Sequence, residues 1–244
     1  VPCERMTGRL HSIQSLGAVD GPGIRAVAFL QGCPLRCAYC HNPDTWNPEG
    51  GEPIEAAELA KKLLRYRSYW GKEGGVTVTG GEPLRQAAFV EELFTILQNE
   101  GVHTALDTSC TGDLAAAERV LCHTDLVLAD LKFLTEEDYA AYCRGGLARV
   151  RESLRLTERM GVPLWIRHVV VPGLTDGEEH IRALGREASS YSNLRKIELL
   201  PFRKLCLEKY HTMGIPFPLE DTPEMDEARC HALFRLLPEV GETH

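Results

Sequence analysis

Three cysteines stand within eight residues in the stretch CPLRCAYCH (33–41), and a histidine follows the third. Cys33, Cys37 and Cys40 have the spacing C-x3-C-x2-C, a loop length that can wrap three thiolates around one corner of a metal centre. A structural zinc site closes with four ligands. No second C-x-x-C occurs in the chain, and His41 is too close to Cys40 in sequence to share one tetrahedron easily. CAYCH also matches the C-x-x-C-H signature of covalent haem attachment, but that chemistry belongs to exported proteins and leaves Cys33 idle. An iron–sulfur cluster of the four-iron type uses all three, although such clusters are ordinarily held by four thiolates. Three would leave one iron open to a non-protein ligand, which a catalytic centre needs and a structural one avoids. A non-catalytic zinc module and a haem remain the rival readings, separable by metal analysis and by a Soret band.

Other residues able to do chemistry stand at the ends of short apolar runs. GGEP (80–83) follows one run, Asp107 and Thr108 close another, and Asp130, Leu131 and Lys132 close a third. A later run carries Arg167 and His168, and Arg203 follows the last. Each alone has a plainer explanation. DGPG and GGEP are turn signals, a lone aspartate more often caps a loop than binds a ligand, and a lone lysine is usually a solvated charge. Their joint placement on successive strand ends points to an assembled site.

The elements that must position them alternate strand and helix. Apolar, β-branched runs occur at 25–31, 75–80, 102–108, 125–131, 164–171 and 196–202. They lack clean alternation, which suits strands buried on both faces of a parallel sheet. Between them lie amphipathic stretches such as Phe89, Leu93 and Leu97, with Val90 and Phe94 beside them, or Leu147, Val150 and Leu154. NEGVHTALDT and RMGVPLWIRH each place a glycine where a helix should stop. Six βα units predict an α/β fold, a partial (β/α)6 TIM-like barrel with parallel strands, and an open doubly wound sheet is the alternative. The reading gives a single domain over 1–244, its core about 20–205, then a long loop and a helix over 222–237 within 206–240. In such barrels chemistry gathers at the C-terminal rim of the strands.

The chain has 244 residues and a net charge of −8, with 27 basic against 35 acidic residues. This argues against nucleic acid or an anionic membrane as the main partner. No apolar run approaches the about 20 residues of a membrane span. VPCERMTGRL has no apolar core, so no secretory signal is expected there. Nine cysteines, an odd count, suit metal or catalysis in a reducing, cytoplasmic setting better than a disulfide framework. Cys3, Cys110, Cys122, Cys143, Cys206 and Cys230 are expected to act mostly as small buried hydrophobes.

With Tyr39 as the aromatic residue, C-x3-C-x-aromatic-C resembles the signature of radical S-adenosylmethionine enzymes, and GGEP fits the same superfamily. The longer string DGPGIRAVAFLQGCPLRCAYCHNPDTW (20–46) is similar to the activating enzymes of glycyl radical enzymes. DLK (130–132), WIRHVVVPG (165–173) and IELLPF (197–202) extend the resemblance over most of the chain. Only 39 residues, none of them cysteine, separate Cys40 from Gly80. That leaves no room for a ferredoxin-like insert and favours the short, pyruvate formate-lyase type.

The resemblance implies a 4Fe-4S cluster on Cys33, Cys37 and Cys40, with S-adenosylmethionine chelating the open iron. It implies reductive cleavage of that cofactor and hydrogen abstraction from a glycine of a partner glycyl radical enzyme, pyruvate formate-lyase or a relative. Tyr39, Cys40, His41, Gly80, Gly81, Glu82, Asp107, Asp130, Leu131, Lys132 and Arg203 would line the cofactor. Asp20, Arg167 and Lys132 would serve catalysis, the first two against the partner's glycine loop. Asp107, Thr108 and Asp130, with the Leu128 carbonyl, resemble a monovalent cation site. Reduced flavodoxin or ferredoxin is the implied electron donor, and a monomer is expected. A radical enzyme acting on a small molecule is the alternative. Three positions depart from the pattern: Arg203 replaces a common histidine, Cys206 stands where glycine is frequent, and DTSC puts Cys110 where DTNG is expected.

Overall fold

The computed structural model describes residues 6–240. Cys3 and half of the stretch read for a secretory signal lie outside them. The strands are β1 (Thr7–Gly17), β2 (Arg25–Leu30), β3 (Glu52–Glu55), β4 (Gly75–Gly80), β5 (His103–Thr108), β6 (Leu126–Asp130), β7 (Leu164–Val170) and β8 (Leu194–Pro201). The helices are α1 (Ala56–Leu64), α2 (Ala87–Asn99), α3 (Leu114–Leu121), α4 (Glu136–Cys143), α5 (Leu147–Arg159), α6 (Glu178–Ala188), α7 (Leu207–Met213) and α8 (Glu227–Phe234). Strand order is β3-β1-β2-β4-β5-β6-β7-β8. The pairs β2–β4, β4–β5 and β7–β8 are parallel, whereas β1 runs antiparallel to both β2 and β3.

The six expected strands are β2 and β4 to β8, and the α/β class with a mostly parallel sheet holds. Two strands were not expected. β1 alternates exposed and half-buried polar residues such as His11, Ser12 and Gln14, so it carries no apolar run. β3 is short and contains Pro53, which an edge strand tolerates.

Chain contacts divide the protein into two compact units. One takes the described residues up to Pro34 with Thr45–Leu128; the other takes Leu35–Asp44 and the chain from Ala129 onward. In the first, Ala26, Val27, Ala28 and Leu30 of β2 are fully buried, as are Val76 and Val78 of β4. Leu59 and Leu63 of α1 and Val90, Leu93, Phe94 and Leu97 of α2 are fully buried as well. Each of the buried Val, Leu and Phe side chains contributes about 1.5–3 kcal/mol. The helix stop at Gly101 is as read: its φ is +69°. Val102 N reaches back to Leu97 O at 3.0 Å and Gly101 N to Gln98 O at 2.8 Å, the paired bonds of a left-handed cap.

Arg25, fully buried at the start of β2, ties the beginnings of three strands together in this unit. Its guanidinium donates to Thr77 Oγ1 at 2.6 Å, Val76 O at 2.7 Å and His103 O at 3.1 Å, and to Pro22 O at 3.2 Å. Burial lowers its pKa to about 10, with Asp125 and Asp20 opposing.

In the second unit, Leu147, Val150 and Leu154 form the buried stripe of α5, and Gly161 (φ +68°) ends that helix region as Gly101 does its own. The stretch after β8, expected as a loop, contains α7. Tyr210 on that helix meets the Phe217 ring at 4.9 Å, and Phe217 stacks on Phe202 at 6.2 Å. The final helix is shorter than expected because Asp226 caps its start, accepting from Arg229 N at 2.7 Å. Of the scattered cysteines described, Cys110, Cys143, Cys206 and Cys230 are buried as expected, but Cys122 is exposed.

Candidate active site

The cysteine loop starts in the first unit, which holds Cys33, and continues in the second, which holds Cys37 and Cys40. Each unit's share of the candidate site is described in turn.

In the first unit, β2 and β4 end side by side, with Leu30 paired to Gly80. Gly80 has φ +120°, a conformation side chains rarely adopt. A Cβ on Gly81 would sit 2.4 Å from Gly32 O and 3.1 Å from Cys33 N. Gly81 N donates to Leu30 O and Glu82 N to Gly32 O, both at 2.8 Å. The crowding that demands glycine here therefore comes from the protein's own backbone at the root of the cysteine loop. Gly81→Ala is expected to cost about 1–3 kcal/mol by overpacking and to loosen that loop. Urea unfolding and limited proteolysis near Cys33 check this.

Glu82 is fully buried, and its carboxylate accepts four hydrogen bonds. Oε1 takes Leu84 N at 3.0 Å and Thr108 Oγ1 at 2.8 Å. Oε2 takes Ser109 N at 2.8 Å and Ser109 Oγ at 2.5 Å. This side chain, expected beside the cofactor, braces the end of β4 to the end of β5. Asp107 accepts from Thr79 Oγ1 at 2.8 Å. Cys110 stands at φ +61°, so the residue found in place of glycine is held in a left-handed conformation. Its N–H is fixed by Thr108 Oγ1 at 2.9 Å. Asp20 belongs to the loop before β2: its carbonyl accepts from Thr77 Oγ1 at 2.6 Å, and Thr77 is level with Val27. Gly80 lies three residues further along the same strand. Asp20 and the GGEP turn thus belong to different levels of β4.

In the second unit the cysteine loop is pinned by backbone to the end of α4. Arg36 N donates to Cys143 O at 2.8 Å and Ala38 N to Tyr142 O at 2.7 Å. Cys143, read as one more scattered cysteine, is placed against Cys37. Their hydrogen bond, then burial, push the Cys37 thiol well above its ordinary pKa. The segment after Cys40 is held by the chain around α7. Tyr210 Oη donates to Cys40 O at 3.2 Å, His41 Nε2 to Arg203 O at 2.9 Å, and Lys209 Nζ to Asn42 Oδ1 at 2.9 Å and Asp44 Oδ1 at 3.0 Å. Tyr39 is 5% exposed and packs 6.1 Å from the Phe133 ring, and its hydroxyl finds no hydrogen-bond partner among the described residues.

Asp130 gathers two cations at the end of β6. Its Oδ2 pairs with Lys132 Nζ at 2.9 Å and its Oδ1 with Arg167 Nε at 3.3 Å. Burial alone would raise the Asp130 carboxyl; Lys132 and Arg167 more than offset it and hold it at about 2. Burial disfavours the Lys132 ammonium, but Asp130 outweighs this and lifts it well above its ordinary pKa. Lys132 N is fixed by Tyr139 Oη at 3.0 Å, a contact the sequence did not suggest.

The Arg203 guanidinium, expected near the cofactor, donates to Met225 O at 2.5 Å and to Glu227 at 2.7 Å. Of the oxygens expected around a monovalent cation, Thr108 Oγ1 donates its hydrogen to Glu82, Asp107 accepts from Thr79, and Asp130 pairs with Lys132 and Arg167. Among the described residues no three His, Cys, Asp or Glu side chains converge as a ready-made ion site. What relates Cys33, Cys37 and Cys40 is their spacing on one loop.

A parallel α/β sheet whose first buried strand runs into a three-cysteine loop defines a class. Residues 27–184 match the profile described as the Radical SAM superfamily, and the chain belongs to that superfamily. A pyruvate formate-lyase-activating enzyme of Clostridium pasteurianum is 45% identical over 236 residues, covering 96% of this chain and 99% of the relative. One from Staphylococcus aureus is 42% identical, covering 97% and 98%. Among solved structures, a radical SAM methyltransferase from Sphaerobacter thermophilus shares the fold, with a TM-score of 0.63 at 15% identity over 87% of this chain and 63% of that one.

Proposed function

We propose that this chain activates a glycyl radical enzyme of the pyruvate formate-lyase type by removing a hydrogen atom from one of its glycines. Identity of 45% across almost the whole chain to an enzyme of that name carries the reading. The residues present fit the cofactors this needs. One loop offers three thiols, and within its sequence the Tyr39 hydroxyl is a buried polar atom without a partner among the described residues, as a ligand-facing group is before its ligand arrives. When bound, a 4Fe-4S cluster with S-adenosylmethionine supplies the one-electron cleavage that yields a hydrogen-abstracting radical.

The chain's own residues then bind and orient. Cys33, Cys37 and Cys40 hold the cluster. Tyr39 offers its hydroxyl. Lys132, fixed on Asp130, presents a buried cation for the charged end of the cofactor, and Arg167, fixed on the same carboxylate, faces the partner's glycine loop. Glu82 keeps the ends of β4 and β5 in register. Asp20 contacts the partner's glycine loop, and alignment of that glycine is the orientation component of catalysis. Reduced flavodoxin or ferredoxin supplies the electron, and the protein works as a monomer in a reducing cytoplasm. Among the described residues no helix is long and apolar enough to cross a membrane.

The test is anaerobic reconstitution with iron and sulfide, followed by reductant, S-adenosylmethionine and pyruvate formate-lyase. A glycine-centred radical in the electron paramagnetic resonance spectrum is the expected result. Cofactor cleavage with no radical in any glycyl radical enzyme, but turnover of a small molecule, would replace this reading with the alternative.

A further inference from the structure

We infer that His168 and His180 are positioning residues for the strand end formed by Asp130, Leu131 and Lys132. This rests on the reading that Lys132 and its neighbours meet S-adenosylmethionine. Leu131 N is satisfied by Arg167 O at 3.0 Å, which leaves its carbonyl in need of a donor. His168 Nδ1 meets that carbonyl at 2.6 Å. A carbonyl can only accept, so the proton sits on Nδ1 and Nε2 carries a lone pair. His168 is 1% exposed, so that lone pair needs a buried donor. Nε2 of His180, in the first turn of α6, lies 3.2 Å away and fills the role, with the two rings 5.1 Å apart. A chain of two hydrogen bonds thus runs from α6 to the peptide between Asp130 and Lys132.

The other connections of this peptide are short and rigid. Tyr139 holds Lys132 N, and Asp130 is clamped by Lys132 and Arg167. The Leu131 carbonyl is the point where a remote helix enters the arrangement. Burial holds His168 neutral, at about 4, which keeps it in the single tautomer that this geometry demands. Burial lowers His180 as well, with Asp138 opposing.

The test uses the cluster-reconstituted protein. Imidazole 15N shifts are expected to show His168 in one neutral tautomer, protonated at Nδ1. His168→Phe keeps a ring but loses the donor, and is expected to weaken S-adenosylmethionine binding about tenfold. His168→Asn keeps a donor near Nδ1 and is expected to stay within about threefold of wild type. His180→Phe is expected to fall between them. A proton on Nε2 of His168 overturns the inference. So does unchanged cofactor binding in both His168→Phe and His180→Phe, even where the melting temperature falls, because the pair would then be structural only. If His168→Phe does not fold, His180→Phe and His168→Asn decide. Wild-type protein that fails to bind S-adenosylmethionine would overturn the functional reading, whereas the tautomer result bears on the hydrogen-bond chain alone.

Discussion

Cys37→Ala is expected to abolish cleavage of S-adenosylmethionine, with loss of at least about a thousandfold in rate. Removing an outer-shell partner of a metal site typically costs about 10–100-fold, and a direct ligand more. Cys37 is 8% exposed, and its neighbours Arg36 and Ala38 are bonded by backbone to Cys143 and Tyr142. The loop's path therefore does not depend on the thiol, and the variant should fold and keep its secondary structure. Anaerobic 5′-deoxyadenosine formation is the measurement, with iron and sulfide content alongside. Cys122→Ala, at an exposed site, is the control and is expected to behave as wild type. Full activity in Cys37→Ala would refute the ligand assignment.

Asp130→Asn is expected to lower stability by about 3–5 kcal/mol and to remove cofactor binding with it. The reason lies in burial. Lys132 and Arg167 are each only 12% exposed, and Asp130 is their shared counter-ion. Breaking a buried ion pair strands a charge, which is the costly case. Here two cations are stranded near each other. Adding Lys132→Met to Asp130→Asn should return part of the stability but not the cofactor binding, because one of the two stranded charges is gone. Urea unfolding and cofactor titration separate the two effects. A loss of less than about 1 kcal/mol in Asp130→Asn would show that the cluster of charges is solvated. The same group sets an acid limit. Its carboxyl titrates at about 2 in the folded protein against 3.8 ordinarily. A depressed carboxylate stabilises fully above the ordinary value, and the contribution is lost as pH falls through about 2. Melting temperature should therefore decline from about pH 4 downward, less steeply in Asp130→Asn.

Much of the site was legible because chemistry was carried by residue type and spacing. C-x3-C-x2-C is a local pattern, and so is a glycine pair after a buried strand. The charged strand ends Asp130, Lys132 and Arg167 were found the same way, and in the fold they form ion pairs with one another. What escaped was relational. Cys143 looked like one more buried cysteine until the fold set it beside Cys37. The four hydrogen bonds that Glu82 accepts from Leu84, Thr108 and Ser109 could not be read from the GGEP turn. Nor could the pairing of Arg203 with Glu227 of α8. β1 was missed because its polar alternation offers no apolar run, and α7 because it lies inside a stretch rich in proline and glycine.

The sequence by itself determined the strand runs, the helix stops at Gly101 and Gly161, the cysteine loop and the charges at the strand ends. These follow from local rules: backbone freedom at glycine, burial of apolar runs, and ligand spacing along a short loop. Only the tertiary structure decided how those groups are satisfied. Whether a buried carboxylate is free or spent, and which tautomer a histidine holds, depends on partners brought in from distant parts of the chain, because a buried polar atom left without one is costly.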